Sequence, residues 1–98
     1  MHDEAVVNMA DVTVADYAAN IRAYLRENMT AFKDVELDDE DNIFERGFFT
    51  SLFAMQLLHY VESTFDVEVP DDYIMLRNFS SVRRLADMVA DLKRTSGE

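Results

Sequence analysis

The sequence predicts an all-α fold: a small bundle of three main helices and one short one, with a long loop after the first. Three observations lead there. Apolar residues make up 49% of the 98 residues, enough to form a core in spite of the charge. Two glycines and a single proline leave little material for the tight turns of a β fold. Apolar residues also recur at three- and four-residue intervals over three separate stretches. The length suits one domain. That domain is expected over residues 13–94, with a flexible tail at 1–12 and a frayed end at 95–98.

In the first stretch, Val14, Tyr17, Ile21, Leu25, Asn28 and Met29 recur at helical spacing, with Ala18 and Tyr24 beside them. A first helix from about Val14 to Met29 follows, and Thr13 with Asp16 three residues on resembles a capping box at its start. Phe32 is placed to pack just beyond its end. A long connection then runs from about Lys33 to Thr50, in which Val35, Leu37, Ile43, Phe44, Phe48 and Phe49 can fasten the loop to the core. A loop of this length in a small domain is usually functional or contains a short helical turn.

The second helix is expected from about Ser51 to Phe65. At about 100° per residue, Ala54, Leu57, Leu58, Val61 and Phe65 fall on one arc and form its buried stripe. Asp66 to Val69 is a short extended link. Pro70 followed by Asp71 and Asp72 opens a short third helix, reaching Met75 or Leu76. Asn78-Phe79-Ser80-Ser81 ends it and supplies an N-cap for the last helix, from about Val82 to Lys93. That helix buries Val82, Leu85, Ala86, Val89 and Leu92, and Lys93 and Arg94 suit its C-terminal end.

Twenty acids against nine bases give a formal net charge of −11. Phosphate neutralisation on nucleic acid is excluded by that balance. The domain is instead steered towards partners with basic patches. Glu36, Asp38, Asp39, Glu40, Asp41 and Glu45 crowd into ten consecutive residues. They lack the alternating oxygen ligands, central glycine and closing glutamate of a calcium loop, and read as a solvated acidic loop. No metal site is expected. The absence of cysteine excludes thiolate chemistry and agrees with a reducing compartment. No apolar run is long enough to span a bilayer and the N-terminus lacks a signal-peptide pattern, so a cytoplasmic location is expected. A monomer is expected as well.

Ser51 is the residue with chemical promise. It follows a loop that Gly47 allows to turn, and stands where the second helix begins. Thr50 or Ser51 can cap that helix. A serine hydroxyl beside unpaired backbone donors also suits a phosphate ester. Both readings stay open on these residues. A nucleophilic hydrolase needs a base within reach of the serine. The only histidines are His2 in the tail and His59, about 12 Å up the same helix. No Gly-rich phosphate loop, metal cluster or dinucleotide fingerprint is present. Ser51 is therefore better read as the substrate of another enzyme than as a catalyst, and no enzymatic activity is expected.

The run Asp41-Asn42-Ile43-Phe44-Glu45-Arg46-Gly47-Phe48-Phe49-Thr50-Ser51-Leu52 resembles the approach to the modified serine of acyl carrier proteins. Phe65-Asp66-Val67-Glu68-Val69-Pro70 and then Asn78-Phe79-Ser80-Ser81-Val82 follow at the family's distances, so the resemblance covers about Val14 to Lys93. It implies the family's four-helix bundle and a covalent 4′-phosphopantetheine on Ser51, attached from coenzyme A by a phosphopantetheinyl transferase. The arm's thiol would carry an acyl or aminoacyl thioester. Implied partners are the transferase, a loading enzyme for the cargo, and an acyltransferase or synthase that receives it.

Two features depart from the family pattern. Thr50 stands where aspartate usually precedes the serine, and the outer face of the second helix, usually acidic, reads Phe53, Met55, Gln56 and His59. The run from Gly47 to Leu57 is more similar to discrete carriers of polyketide or hybrid peptide assembly than to the carrier of fatty-acid synthesis. The family meets its enzymes through this helix, which makes Thr50, Leu52, Met55, Gln56, His59 and Glu62 the expected docking residues. The competing reading is an acidic helical interaction domain of the same fold that carries nothing and uses Ser51 only as a cap.

Overall fold

The computed structural model describes residues 9–96, with side chains over residues 14–94. Three α-helices are formed: α1 (Met9–Glu27), α2 (Phe53–Phe65) and α3 (Val82–Ser96). Three short 3-10 turns join them, at Thr30–Phe32, Asp71–Tyr73 and Leu76–Phe79. There is no strand among the described residues. α1 packs along α3, and the core between the helices is built from Ile21 and Leu25 of α1, Leu57, Val61 and Phe65 of α2, and Val82, Leu85, Ala86 and Val89 of α3.

The periodic stretches are helices as predicted, but several boundaries differ. α1 begins at Met9, inside the stretch expected as a tail, so Thr13 and Asp16 lie within the helix instead of boxing its start. Neither glycine nor proline interrupts residues 9–27, and Met9 and Ala10 are good helix formers. α3 continues to Ser96, past the expected end at Lys93. Its start is as predicted: Ser81 Oγ accepts a hydrogen bond from the Arg84 N–H (3.0 Å), the geometry of an N-cap.

The expected short third helix is replaced by two 3-10 turns. Ile74 leaves helical space (φ −84°, ψ 79°) and Met75 is extended (φ −138°, ψ 149°). Side chains impose the break. The Tyr73 carbonyl accepts from Asn78 Nδ2 (2.7 Å), and the Tyr73 hydroxyl donates to Asp91 Oδ2 on α3 (2.7 Å). The first bond takes up a carbonyl that a continuing helix would need, and the second draws the chain onto α3.

The long loop is pinned at Ile43. Its side chain is fully buried, its N–H donates to the Ser80 carbonyl (2.7 Å), and its own carbonyl accepts from Phe48 N (3.0 Å) and Phe49 N (3.3 Å). Asn42 Oδ1 accepts from the N–H groups of Phe44 and Glu45 (3.0 Å each), closing the turn that leads to Gly47. Gly47 has φ +79°, a conformation that strains any side-chain-bearing residue. Leu37, Phe48 and Phe49 are buried, and Val35 and Phe44 are half-buried, as the sequence predicts.

Candidate functional site

Gly47 turns the chain, Phe48 and Phe49 plunge into the core, and Thr50, Ser51 and Leu52 emerge at the surface before α2 begins at Phe53. Leu52 already has helical dihedrals (φ −63°, ψ −29°). Phe53 N donates to the Thr50 carbonyl (2.9 Å) and Ala54 N to the Ser51 carbonyl (3.0 Å). Residues 50–53 thus form a tight turn that runs directly into the helix, with Ser51 at its exposed apex.

The expected cap is not made. Thr50 and Ser51 lie before the helix, Leu52 takes the cap position, and no side chain hydrogen-bonds the first amides. Among the described residues, nothing engages the Ser51 hydroxyl or the N–H groups of Ser51 and Leu52. The first turn of α2 also contains no acid. The positive end of the helix is therefore open next to a free hydroxyl, an arrangement suited to an anionic ester.

What holds the helix start in place of a cap is aromatic. The rings of Phe49 and Phe53, two residues to either side of Ser51, stack with centroids 4.1 Å apart and planes 10° from parallel. Phe53 also stacks on Tyr24 of α1 (6.1 Å), and Tyr24 on Tyr60 (3.9 Å). The Tyr60 hydroxyl donates to the Asn20 carbonyl (3.0 Å), joining α2 to α1 a second time. A missing cap forgoes about 1 kcal/mol; each ring pair contributes about 0.5–1.5 kcal/mol beyond its buried area, so the stack offsets it. By sequence, Phe53 belongs to the outer face with Met55, Gln56 and His59. The structure turns it half-inward, and the aromatic pair flanking the serine was the signal for this.

Of the other residues singled out in the sequence, Thr50, Leu52, Met55, Gln56 and His59 are exposed on one side of α2. Leu52 is 79% and Met55 54% exposed, large values for apolar side chains. Glu62 is half-buried. Its Oε2 accepts from Val69 N (3.0 Å) and its carbonyl from Asp66 N and Val67 N, so it fastens the chain leaving α2. Asp66 there adopts a left-handed conformation (φ 56°), which aspartate tolerates.

Of the stripe that periodicity centres on Ala54, Leu58 and Val61, Val61 is fully buried, as is Leu57 and very nearly Phe65 beside it, but Ala54 and Leu58 are only half-buried. Ala54 and Leu58 instead line a shallow apolar groove of about 180 Å³, completed by Met55, Ile74, Met75, Leu76 and Phe79. Ile74, Met75 and Leu76 are all more than two-fifths exposed. With Leu52 and Met55 they make an apolar surface beside the serine turn that the sequence reading missed, because it expected those three inside a short helix.

No described helix is long and apolar enough to cross a membrane. No described group of three or more histidines and acids could hold a metal ion. Neither the curated proteins nor the solved structures contain a match to this chain. The family model for the phosphopantetheine attachment site matches residues 19–89, well over half of the chain and spanning the serine turn, the apolar surface and most of the core. The chain belongs to the phosphopantetheine-attachment family: it is a carrier protein of the acyl or peptidyl type that bears covalent 4′-phosphopantetheine and works as a non-enzyme with the transferase and acyl-handling enzymes that serve it.

Proposed function

We propose that Ser51 is the single attachment site, and that the holo protein presents an acyl or aminoacyl unit to enzymes of polyketide or hybrid peptide assembly. The observation that carries the assignment is a hydroxyl at the apex of an exposed turn, engaged by no described partner, with free amides beside it. A cap would have used the hydroxyl structurally; here it is left for chemistry. Ser51 Oγ attacks the pyrophosphate of coenzyme A at the phosphorus that bears pantetheine. The new phosphodiester forms as the P–O–P bond breaks, adenosine 3′,5′-bisphosphate leaves, and the serine proton passes to the transferase. The N–H groups of Ser51 and Leu52 and the open end of α2 favour the negative phosphodiester. Once attached, the arm supplies a thiol that holds cargo as a thioester.

Partner enzymes reach Ser51 over Thr50, Leu52, Met55, Gln56 and His59, with Ile74, Met75 and Leu76 across the groove. This surface is apolar and neutral where the family is usually acidic, which supports a pathway of discrete carriers with its own transferase and loading enzyme. Glu62 and the acidic loop add long-range steering. With coenzyme A as donor, the modification belongs to the cytoplasm. Intact mass spectrometry tests the assignment. Incubation with coenzyme A and a broad-specificity transferase adds one phosphopantetheinyl group to the native chain and none to Ser51→Ala. Modification of Ser51→Ala, or a native chain refractory to every transferase tried, would overturn it. Ser51→Ala should melt within about 0.5 kcal/mol of the native protein, since no cap is lost.

A further inference from the structure

α2 and α3 are started in different ways. α3 has a side-chain cap, Ser81 Oγ on Arg84 N. α2 has no capping side chain and no acid in its first turn. The turn before α2 is nonetheless fastened at its base. On the entering side, Phe49 is buried and its N–H donates to the Ile43 carbonyl (3.3 Å). On the leaving side, Phe53 N donates to the Thr50 carbonyl. The rings of the two phenylalanines lie face to face at 4.1 Å beneath the three intervening residues, and Tyr24 of α1 backs Phe53.

We propose that Phe49, Phe53 and Tyr24 are positioning residues for modification: they clamp the base of the turn so that Ser51 is held outward while its neighbouring amides stay free. The inference rests on Ser51 being the attachment site. A cap from Thr50 would take up the Leu52 N–H that favours the phosphodiester, and a cap from Ser51 would take up the reacting hydroxyl itself. An aromatic clamp fixes the helix start from below and leaves both open. The surface that meets a partner, Leu52 and Met55, lies on the other side of the turn and is not part of the clamp. Loosening the clamp therefore misplaces the reacting oxygen and leaves the docking side chains in place. Misplacing a reacting group by about 1 Å can cost up to about a hundredfold in rate.

The test uses the full chain, coenzyme A and one transferase, at a temperature well below melting. Phe53→Leu keeps an apolar side chain and removes the stack. Its kcat for modification should fall about tenfold, within that limit, with KM for the carrier near the native value. Amide exchange at residues 50–55 should quicken. Phe53→Tyr, which restores a ring, should recover kcat. Tyr24→Leu loosens the clamp from α1 and should lower kcat in the same direction, which keeps the test alive if Phe53→Leu folds poorly. Phe65→Leu is the matched control. It removes ring contacts with Tyr17 and Tyr60 at the far end of the same helix, and should lower melting temperature without changing kcat. Native kcat in both Phe53→Leu and Tyr24→Leu, or an equal kcat loss in Phe65→Leu, would overturn the proposal. A Ser51→Ala protein that still gains mass would instead overturn the site assignment beneath it.

Discussion

Arg22 and Asp39 face each other through two parallel hydrogen bonds, Arg22 Nε donating to Oδ1 and Nη2 to Oδ2, both at 2.8 Å. The same aspartate's carbonyl accepts from Arg83 N on α3 (2.9 Å). One loop residue thereby joins α1, the acidic connection and α3. The hydrogen bond to Asp39, opposed by partial desolvation, raises the Arg22 guanidinium pKa above the usual arginine value.

Arg22→Met should therefore destabilise the domain, but only modestly. Both side chains are more than a third exposed, so solvent screens the pair and its worth is about 1 kcal/mol or less. In a domain of this size that corresponds to a fall in melting temperature of about 4–8 °C at most. The difference between Arg22→Met and the native protein should shrink at high salt. A loss unaffected by salt would show that the arginine's packing, not its charge, is what matters.

The long loop shows why the sequence reached the core and missed the fastenings. Leu37, Ile43, Phe48 and Phe49 are apolar and were legible as anchors by type alone. Arg22 pairing with Asp39 and Arg83 with Glu40 were not, because each depends on where a helix delivers an arginine to the loop. Arg46 pairing with Asp41 was not either, because it depends on how the loop folds back on itself. The same distinction applies around Ser51. Its exposure and the free amides follow from Gly47 and the start of a periodic stretch. The clamp beneath it needs Tyr24, a residue of another helix. Ile74, Met75 and Leu76 were misread because Pro70-Asp71-Asp72 is a sound helix opening that Asn78 and Asp91 then override through Tyr73.

Raising sodium chloride from low to physiological concentration should raise the melting temperature. The net charge of −11 repels itself in the compact state, and salt screens that repulsion. The rise should be smaller than the six crowded acids alone suggest, since Asp39, Asp41 and Glu40 already have arginine partners that salt weakens. Thermal melts across a salt series measure the balance. A flat or falling curve would mean that the local pairs outweigh the long-range repulsion.

At alkaline pH the domain should lose stability through its tyrosines. Burial raises the pKa of Tyr17 and of Tyr60, and the hydrogen bond to Asp91, with that carboxylate's charge, raises that of Tyr73 above the usual 10.0. A raised folded-state value means that the native protein holds its phenolic protons more tightly than the unfolded chain. The contribution is fully present below pH 10 and is lost as pH climbs through the folded-state values. Melting temperature should accordingly drop above about pH 10, the ordinary tyrosine value. Tyr73→Phe should lower stability at neutral pH and flatten part of that alkaline decline. An unchanged decline would remove the Tyr73–Asp91 bond from its cause.

The exposed side of α2 offers the sharpest separation of docking from folding. Leu52 and Met55 are large, apolar and mostly in solvent, and His59 lies further along the same exposed side. Leu52→Ala, Met55→Ala and His59→Glu should each raise the Michaelis constant of a cognate loading enzyme while leaving the melting temperature nearly unchanged. Truncating an interface residue that carries binding energy costs about 1 kcal/mol or more, about fivefold in affinity. Because the surface is neutral, these Michaelis constants should depend less on salt than contacts to an acidic helix would. Ala54 separates the two ideas further. Periodicity placed it in the buried stripe, where a glutamate would unfold the domain. The structure sets it half-buried on the wall of the apolar groove with Leu58 and Phe79. Ala54→Glu should therefore fold, melt close to the native protein, and impair loading by placing a charge in the groove. Val61→Glu, at a fully buried position, should not fold. Circular dichroism melts with loading kinetics on these five variants decide the matter. Normal kinetics in all three exposed-face variants would remove that face from the interface, and an unfolded Ala54→Glu would return Ala54 to the core.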